Sequence, residues 1–271
     1  MARRGFRGCF LVRMAASLGL AFVSACATRD PPPELDVADD VGRLANTRGF
    51  FGHQSVGDNI LQGLREFEGA SVSIAVVTEG PVAPGAIGHA LVGVNGDAAK
   101  KIDDFARRVR AIDGGVDIAL VKLCYADFEN DVDVDQLFAH YRHVHVGLMN
   151  EFPTTQWAHM TVPLTTVESG PKAVLKSLLK KPLYGVAQNA RRERFSQLIR
   201  DTWGGVGTVF DIAALESTDL FGHEVRTDDG VPVLAASYTD DGGHLNATGR
   251  RVVGAAFVKF LARLSTAKAA P

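Results

Sequence analysis

Phe50-Phe51-Gly52-His53-Gln54-Ser55-Val56-Gly57-Asp58-Asn59 is the stretch from which the rest of the chain can be read. An apolar run over residues 49–52 breaks at a polar turn, and Ile60, Leu61, Leu64 and Phe67 then recur at helical spacing. A serine at such a strand-to-helix turn lies at the C-terminal edge of a sheet and beside a helix N-terminus. Backbone N–H groups and the positive end of the helix dipole converge there. The position suits a nucleophilic serine, because developing negative charge on an oxyanion is stabilised by such donors. Taken alone, Ser55 reads as an ordinary helix cap or turn residue.

Upstream, Arg3, Arg4, Arg7 and Arg13 precede an apolar segment over residues 14–23, and Val23-Ser24-Ala25-Cys26 follows. This has the form of a secretory leader. Its ending resembles a bacterial lipobox, which implies cleavage after residue 25 and a lipidated Cys26. Arg3-Arg4 is a faint twin-arginine pattern. Residues 26–36, with Pro31-Pro32-Pro33, read as a stiff tether, and residues 37–268 as one domain. The expected location is outside the cytoplasm, anchored to the envelope on the periplasmic side or at the outer membrane. The formal net charge is −2, and the leader holds four of the basic residues and no acidic one, so a nucleic-acid partner is disfavoured. Of the three cysteines, Cys9 falls in the leader and Cys26 at the lipobox. Cys124 is then left without an internal disulfide partner.

Downstream, strands and helices alternate. A short helix is expected over residues 37–46, strand one over 49–52 and a helix from 55 to about 68. A strand follows over 71–78, a Gly- and Pro-rich loop over 79–97 and a helix over 100–110 with Ile102, Phe105 and Val109 inward. Residues 117–125 read as a buried central strand broken by Lys122. Helices over 135–150 and 189–203, strands over 157–164 and 206–212, a hairpin over 225–234 and a last helix from about 246 complete the order. The pattern predicts a single-domain α/β protein with a largely parallel sheet and helices on both faces. Residues 165–184, bearing Lys172, Lys176, Lys180 and Lys181, have no clear place in it.

A second stretch, Tyr238-Thr239-Asp240-Asp241-Gly242-Gly243-His244-Leu245-Asn246, stands just ahead of the last helix. Asp241 and His244, three residues apart across a glycine turn, can pair. The carboxylate would orient the imidazole and leave the other ring nitrogen free as a base.

With Ser55 at one end and Asp241-x-x-His244 at the other, the chain resembles the GDSL/SGNH hydrolases. The resemblance covers most of residues 48–260. It implies a three-layer α/β/α fold on five parallel strands in flavodoxin-like order. It also implies Ser55 as nucleophile, His244 as base and Asp241 as its orienting acid. Two inner blocks match in part. Gly96, followed by Gly93, best fits the position whose N–H joins the Ser55 N–H in the oxyanion hole. Where the family reads Gly-x-Asn-Asp, this chain reads Cys124-Tyr125-Ala126-Asp127. Asp127 is in register as a site-lining residue, while Ala126 takes the place of the asparagine donor. Asn95, beside Gly96, or Tyr125 is expected to supply the missing donor. His53-Gln54-Ser55 replaces Gly-Asp-Ser, and His53 is expected to line the site.

No cofactor and no metal are expected. His140, His143 and His145 read as a solvated helix face, since no carboxylate or cysteine completes a metal spacing. His159 and Cys124 read as core or edge residues, and the four lysines as a solvated rim. The resemblance implies a serine esterase acting on small-molecule or glycan acyl esters, or on lipids. An O-acyltransferase on the same fold and a non-catalytic glycan- or surface-binding lipoprotein stay open, and so does the oligomeric state.

Overall fold

The computed structural model describes residues 35–67, 72–112 and 115–269. The expected leader, Cys26 and most of the tether lie outside the described residues. Glu34–Pro271 forms one unit that holds every described element and both core clusters.

In chain order the elements are α1 (Ala38–Arg43), β1 (Arg48–His53), α2 (Ser55–Arg65), β2 (Ser73–Val76), β3 (Ala86–Leu91), α3 (Ala98–Ala111) and β4 (Ile118–Val121). Then follow α4 (Val134–Glu151), β5 (Gln156–Trp157), β6 (His159–Met160), α5 (Pro171–Leu178), α6 (Val186–Trp203), β7 (Val209–Phe210), α7 (Ile212–Glu216) and α8 (Ala247–Ala269). Local chemistry fixes several boundaries. The Asp97 side chain accepts from Lys100 N–H to open α3, and the Asp133 side chain accepts from Gln136 N–H to open α4.

Five strands form a parallel sheet in the order β2-β3-β1-β4-β5. β6 and β7 form a parallel pair. The two ladders meet at Ala158, whose N–H bonds Ala119 O in β4, while the next N–H, of His159, bonds Thr208 O on the other side. Residues 156–160 therefore join β4 to β7. Read from β3 to β7, the order is flavodoxin-like, and β2 adds one strand outside it.

The sheet separates two cores. Successive β1 residues point to opposite faces, so Phe51 joins the core of α2 and α8 with Ile60, Leu61 and Phe257, while Phe50 joins the core of α3, α4 and α6 and stacks on Phe105. Both phenylalanines are fully buried. The fold is thus three-layered α/β/α.

One strand departs from expectation. Residues 86–91, read as loop, are β3, which pairs in parallel with both β1 and β2. Its Gly88-His89 pair lowers the strand signal, yet a Cβ at Gly88 would lie 2.8 Å from Val82 Cγ2. Close packing at that point demands the glycine that obscured the strand.

Candidate active site

The site lies at the C-terminal ends of β1 and β4, where the strand order reverses on either side of β1 and crevices form in open α/β sheets. Gln54 is the extended residue between β1 and α2, and Ser55 opens the helix. Its N–H therefore falls in the first turn, where helices leave donors without intrahelical partners. The Gln54 amide donates to Val92 O at 2.8 Å and Gly93 O at 3.1 Å, tying the β3–α3 loop beside Ser55.

The other half comes from the loop before α8. Asn59, one turn into α2, accepts Leu245 N–H through its side-chain oxygen at 3.1 Å. Asn246 caps α8, its Oδ1 accepting Gly249 N–H. Across 189 residues of sequence, Ser55 Oγ then lies 3.0 Å from His244 Nε2. His244 Nδ1 lies 2.7 Å from Asp241 Oδ2, which assigns Nδ1 the proton and leaves Nε2 as acceptor. Partial desolvation pushes the Asp241 carboxyl up, but the N–H groups of His244 and Gly243 and the His244 ring outweigh it and hold it well below the usual range. Asp241 is thus a fixed anion at neutral pH, suited to orient the imidazole and stabilise an imidazolium.

The two glycines between them are required by close approach. A Cβ at Gly242 would lie 2.7 Å from Thr166 Oγ1, and one at Gly243 would lie 2.9 Å from Tyr125 Cζ. Tyr125 stands edge-on to His244, and its hydroxyl lies 3.3 Å from Nε2. Two hydroxyls, from Ser55 and Tyr125, therefore converge on one imidazole nitrogen. Desolvation, with neighbouring anionic groups second, pushes the Tyr125 phenol up to about 12, so it stays a donor at neutral pH.

The fully buried Arg192 holds Tyr125 in place. Its Nε and Nη2 donate to Tyr125 O at 3.1 and 3.0 Å, and its guanidinium carbon lies 5.6 Å from the ring centroid. Nη1 donates to Thr165 Oγ1 and Asn189 Oδ1, and Nη2 to Glu129 Oε1. Arg192 is only faintly marked in the sequence. Its signal was an arginine three residues from both Asn189 and Phe195, on the inward face of a helix.

Three expected site residues are placed differently. The Gly96 N–H, expected in the oxyanion hole, donates to Asp127 Oδ1 at 2.9 Å. Asp127 does not line the site. Its fully buried carboxylate pairs with the fully buried Lys101 ammonium at 2.6 and 2.8 Å and accepts Cys124 N–H at 2.7 Å. His53 does not line it either, being buried beneath α2, where a Cβ at Gly57 would lie 2.3 Å from His53 Cβ. Asn95 is exposed, and its Oδ1 accepts from Lys101 Nζ at 3.0 Å, which directs the amide NH2 away from the ammonium. Lys101 is marked as faintly. A lysine one turn before Phe105 on an apolar helix face was the available sign.

Most histidines other than His244 have structural partners. His53 Nδ1 lies 3.0 Å from Gln54 O and Nε2 lies 2.9 Å from His89 Nδ1. Burial lowers His53 to about 3 and lowers His89 too, so the rings form a neutral hydrogen-bonded pair. With Asp58 they make a group whose ligand atoms lie within 4.8 Å of one another. In the structure the two facing ring nitrogens share a hydrogen bond. His145, expected on a solvated face, is instead fully buried. It stacks on Tyr141 at 3.9 Å between ring centroids and beside His159 at 5.2 Å. The apolar face of α4 wraps further round than the spacing of its leucines suggests. His140 pairs with Asp103, and Cys124 is buried core.

No family model matches the chain, and no curated protein matches it. Solved structures similar to it include the lipase/acylhydrolase from Enterococcus faecalis, at 13% identity over 80% of this chain and 96% of that one, with a TM-score of 0.40. Another is an acetylxylan esterase from Geobacillus stearothermophilus, at 10% identity over 81% and 96%, with a TM-score of 0.43. A peptidoglycan O-acetylesterase aligns at 14% identity over 69% of this chain and 49% of its own, with a TM-score of 0.44. Likeness at these values carries no argument about what this chain does. What the site can do rests on its own geometry.

Proposed function

We propose that the protein is a serine esterase that cleaves carboxylic esters, acyl or O-acetyl groups on glycans or lipids, through an acyl-serine intermediate. The observation that carries this reading is the chain of contacts from Asp241 through His244 to Ser55 Oγ, at 2.7 and 3.0 Å. His244 Nε2 takes the Ser55 proton as Oγ attacks the ester carbonyl. The resulting imidazolium, stabilised by Asp241, passes that proton to the leaving alkoxide as the carbon–oxygen bond breaks. Water, deprotonated by the same nitrogen, then attacks the acyl-Ser55 and releases the acid.

In this reading the oxyanion is held by the Ser55 N–H and the Tyr125 hydroxyl. Tyr125 is favoured because it stands 3.3 Å from the nitrogen that moves the proton. The Asn95 amide NH2 is the alternative side-chain donor, on a loop that Gln54 ties beside Ser55. Such a donor offsets the loss of the asparagine expected at Ala126. No residue of this set calls on a metal or cofactor. The glycan or lipid substrate, and the envelope location with Cys26 lipidated, follow from the lipobox and the resemblance.

The test is turnover of p-nitrophenyl acetate and of acetylated glycan by the wild-type chain and by Ser55→Ala. Activity is expected only with Ser55, together with labelling of Ser55 by a fluorophosphonate. Equal turnover by Ser55→Ala would remove the mechanism. Product that forms only when a sugar acceptor is added would shift the reading to an acyltransferase. The wild-type chain failing both turnover and labelling would leave a binding protein on a hydrolase scaffold.

A further inference from the structure

Helix α5 sits in an excursion whose neck is tied to the catalytic loop. Thr166 N–H bonds Gly242 O at 2.9 Å, and Glu168 N–H bonds Tyr184 O at 3.0 Å. Tyr184 OH donates to Glu129, the same carboxylate that accepts from Arg192 under Tyr125. The excursion is therefore fixed to the site at its base, and its outer surface calls for explanation.

At 100° per residue, Val174, Leu178, Leu175 and Leu179 fall on one continuous arc, and Lys172, Lys176 and Lys180 fall together along its border. The structure turns this helix the opposite way from an ordinary amphipathic one. Ala173 is its buried residue, facing the body of the domain. The four large apolar side chains face solvent, 60%, 58%, 77% and 57% exposed for Val174, Leu175, Leu178 and Leu179 in turn. Tyr184 adds a half-exposed ring whose hydroxyl is held at the neck. Gly170, Ala173, Val174 and Leu178 border a shallow, open apolar surface along the helix.

Charge identifies the partner. Between Gly170 and Gly185 there are four lysines and no acidic residue, in a chain of net charge −2. Lys176 pairs with Glu168 outside that interval, while Lys172, Lys180 and Lys181 are exposed. Leucines flanked by lysines, with a tyrosine at the edge, match the layered chemistry of a bilayer interface: acyl chains under the leucines and anionic headgroups at the lysines.

We propose that α5 and the segment running to Tyr184 form a membrane-contact element that seats this domain on an anionic bilayer surface. The contact is separate from any acyl anchor at Cys26. It needs no catalysis, so it stands or falls apart from the esterase reading. Its consequence for that reading is placement, since seating α5 brings the Ser55 site to the bilayer surface.

The experiment uses the Glu34–Pro271 unit, which lacks Cys26 and the apolar leader. Co-sedimentation is measured with phosphatidylcholine vesicles and with vesicles that also contain phosphatidylglycerol. Binding is expected to the anionic vesicles, to weaken with added salt, and to fall more than about tenfold in Leu175→Asp/Leu178→Asp. Lys172→Glu/Lys180→Glu should also weaken it, by roughly fivefold or more for each lysine. Both pairs are exposed, so circular dichroism and thermal unfolding should match wild type, which separates lost contact from lost fold. Ser55→Ala should bind as wild type does. No binding to anionic vesicles, or binding unchanged in both double variants, overturns the proposal. So does a unit that elutes as a dimer through this face and ignores vesicles, because the leucines then cover a second copy.

Discussion

Replacing Lys101 with Met should be among the most damaging changes outside the triad. Lys101 and Asp127 are both fully buried at the side chain, and the ammonium meets both carboxylate oxygens at 2.6 and 2.8 Å. Met conserves most of the volume, so the cost is electrostatic. Asp127 keeps only the N–H groups of Gly96 and Cys124. Removing one partner of a buried pair typically costs about 3–5 kcal/mol, and the two remaining N–H donors place this case near about 3 kcal/mol. Against a total stability of roughly 5–15 kcal/mol that is a large share. With a urea slope of about 2–3 kcal/mol per molar, the midpoint should fall by about 1 M at unchanged slope. The second variant, Lys101→Met/Asp127→Asn, removes the stranded charge and should recover at least about 1 kcal/mol of the loss. Both variants release Asn95 and the turn that carries Tyr125, so ester turnover should drop even where fluorophosphonate still labels Ser55. A single variant losing less than about 1 kcal/mol, or a double variant losing the sum of the two single losses, would refute the assignment of this pair as the support of both loops.

Three further outcomes can be checked directly. Tyr125→Phe should lower kcat by about 10²–10³, equally for p-nitrophenyl and alkyl esters. A loss confined to the poorer leaving group would move the hydroxyl from the oxyanion to the leaving-group side. Gly63→Ala should destabilise strongly, because its Cβ would lie 2.2 Å from the Arg250 backbone oxygen where α2 packs on α8. An urea midpoint within error of wild type would show that this crossing tolerates separation. Stability should also fall on acidification from pH 6.5. Burial lowers His53 to about 3, His145 to about 4 and His159 well below 6.5, so the unfolded chain binds protons that the folded chain refuses. Each ring then contributes a decline of up to about 1.4 kcal/mol per pH unit down to its folded value. Glu216 has the opposite sign: burial raises it to about 8, so its contribution is full below about 4.5 and fades as pH rises to 8. His145→Gln should flatten the midpoint-against-pH curve below 6.5, and Glu216→Gln should steepen its rise between 4.5 and 6.5 and flatten its fall between 6.5 and 8; unchanged curves would count against burial as the cause.

Much of this protein is written in short-range pattern. Alternation of apolar segments with period-two and helical spacing determined the α/β class, because each element's burial is encoded within its own few residues. The ends of the site were legible for the same reason. Ser55 follows a strand and precedes a helix, and Asp241 and His244 share one tight turn. The strand at residues 86–91 was not legible, because Gly88 and His89 serve contacts with Val82 and His53 that only the assembled sheet supplies. Nor was the fate of each polar group. Whether the Gly96 N–H faces a substrate or a carboxylate depends on Asp127, 31 residues away, and on Lys101 beside it. The outward face of α5 is the plainest case. Its spacing specifies an apolar stripe, but only packing decides which stripe meets the core, and here Ala173 takes that side and the leucines do not.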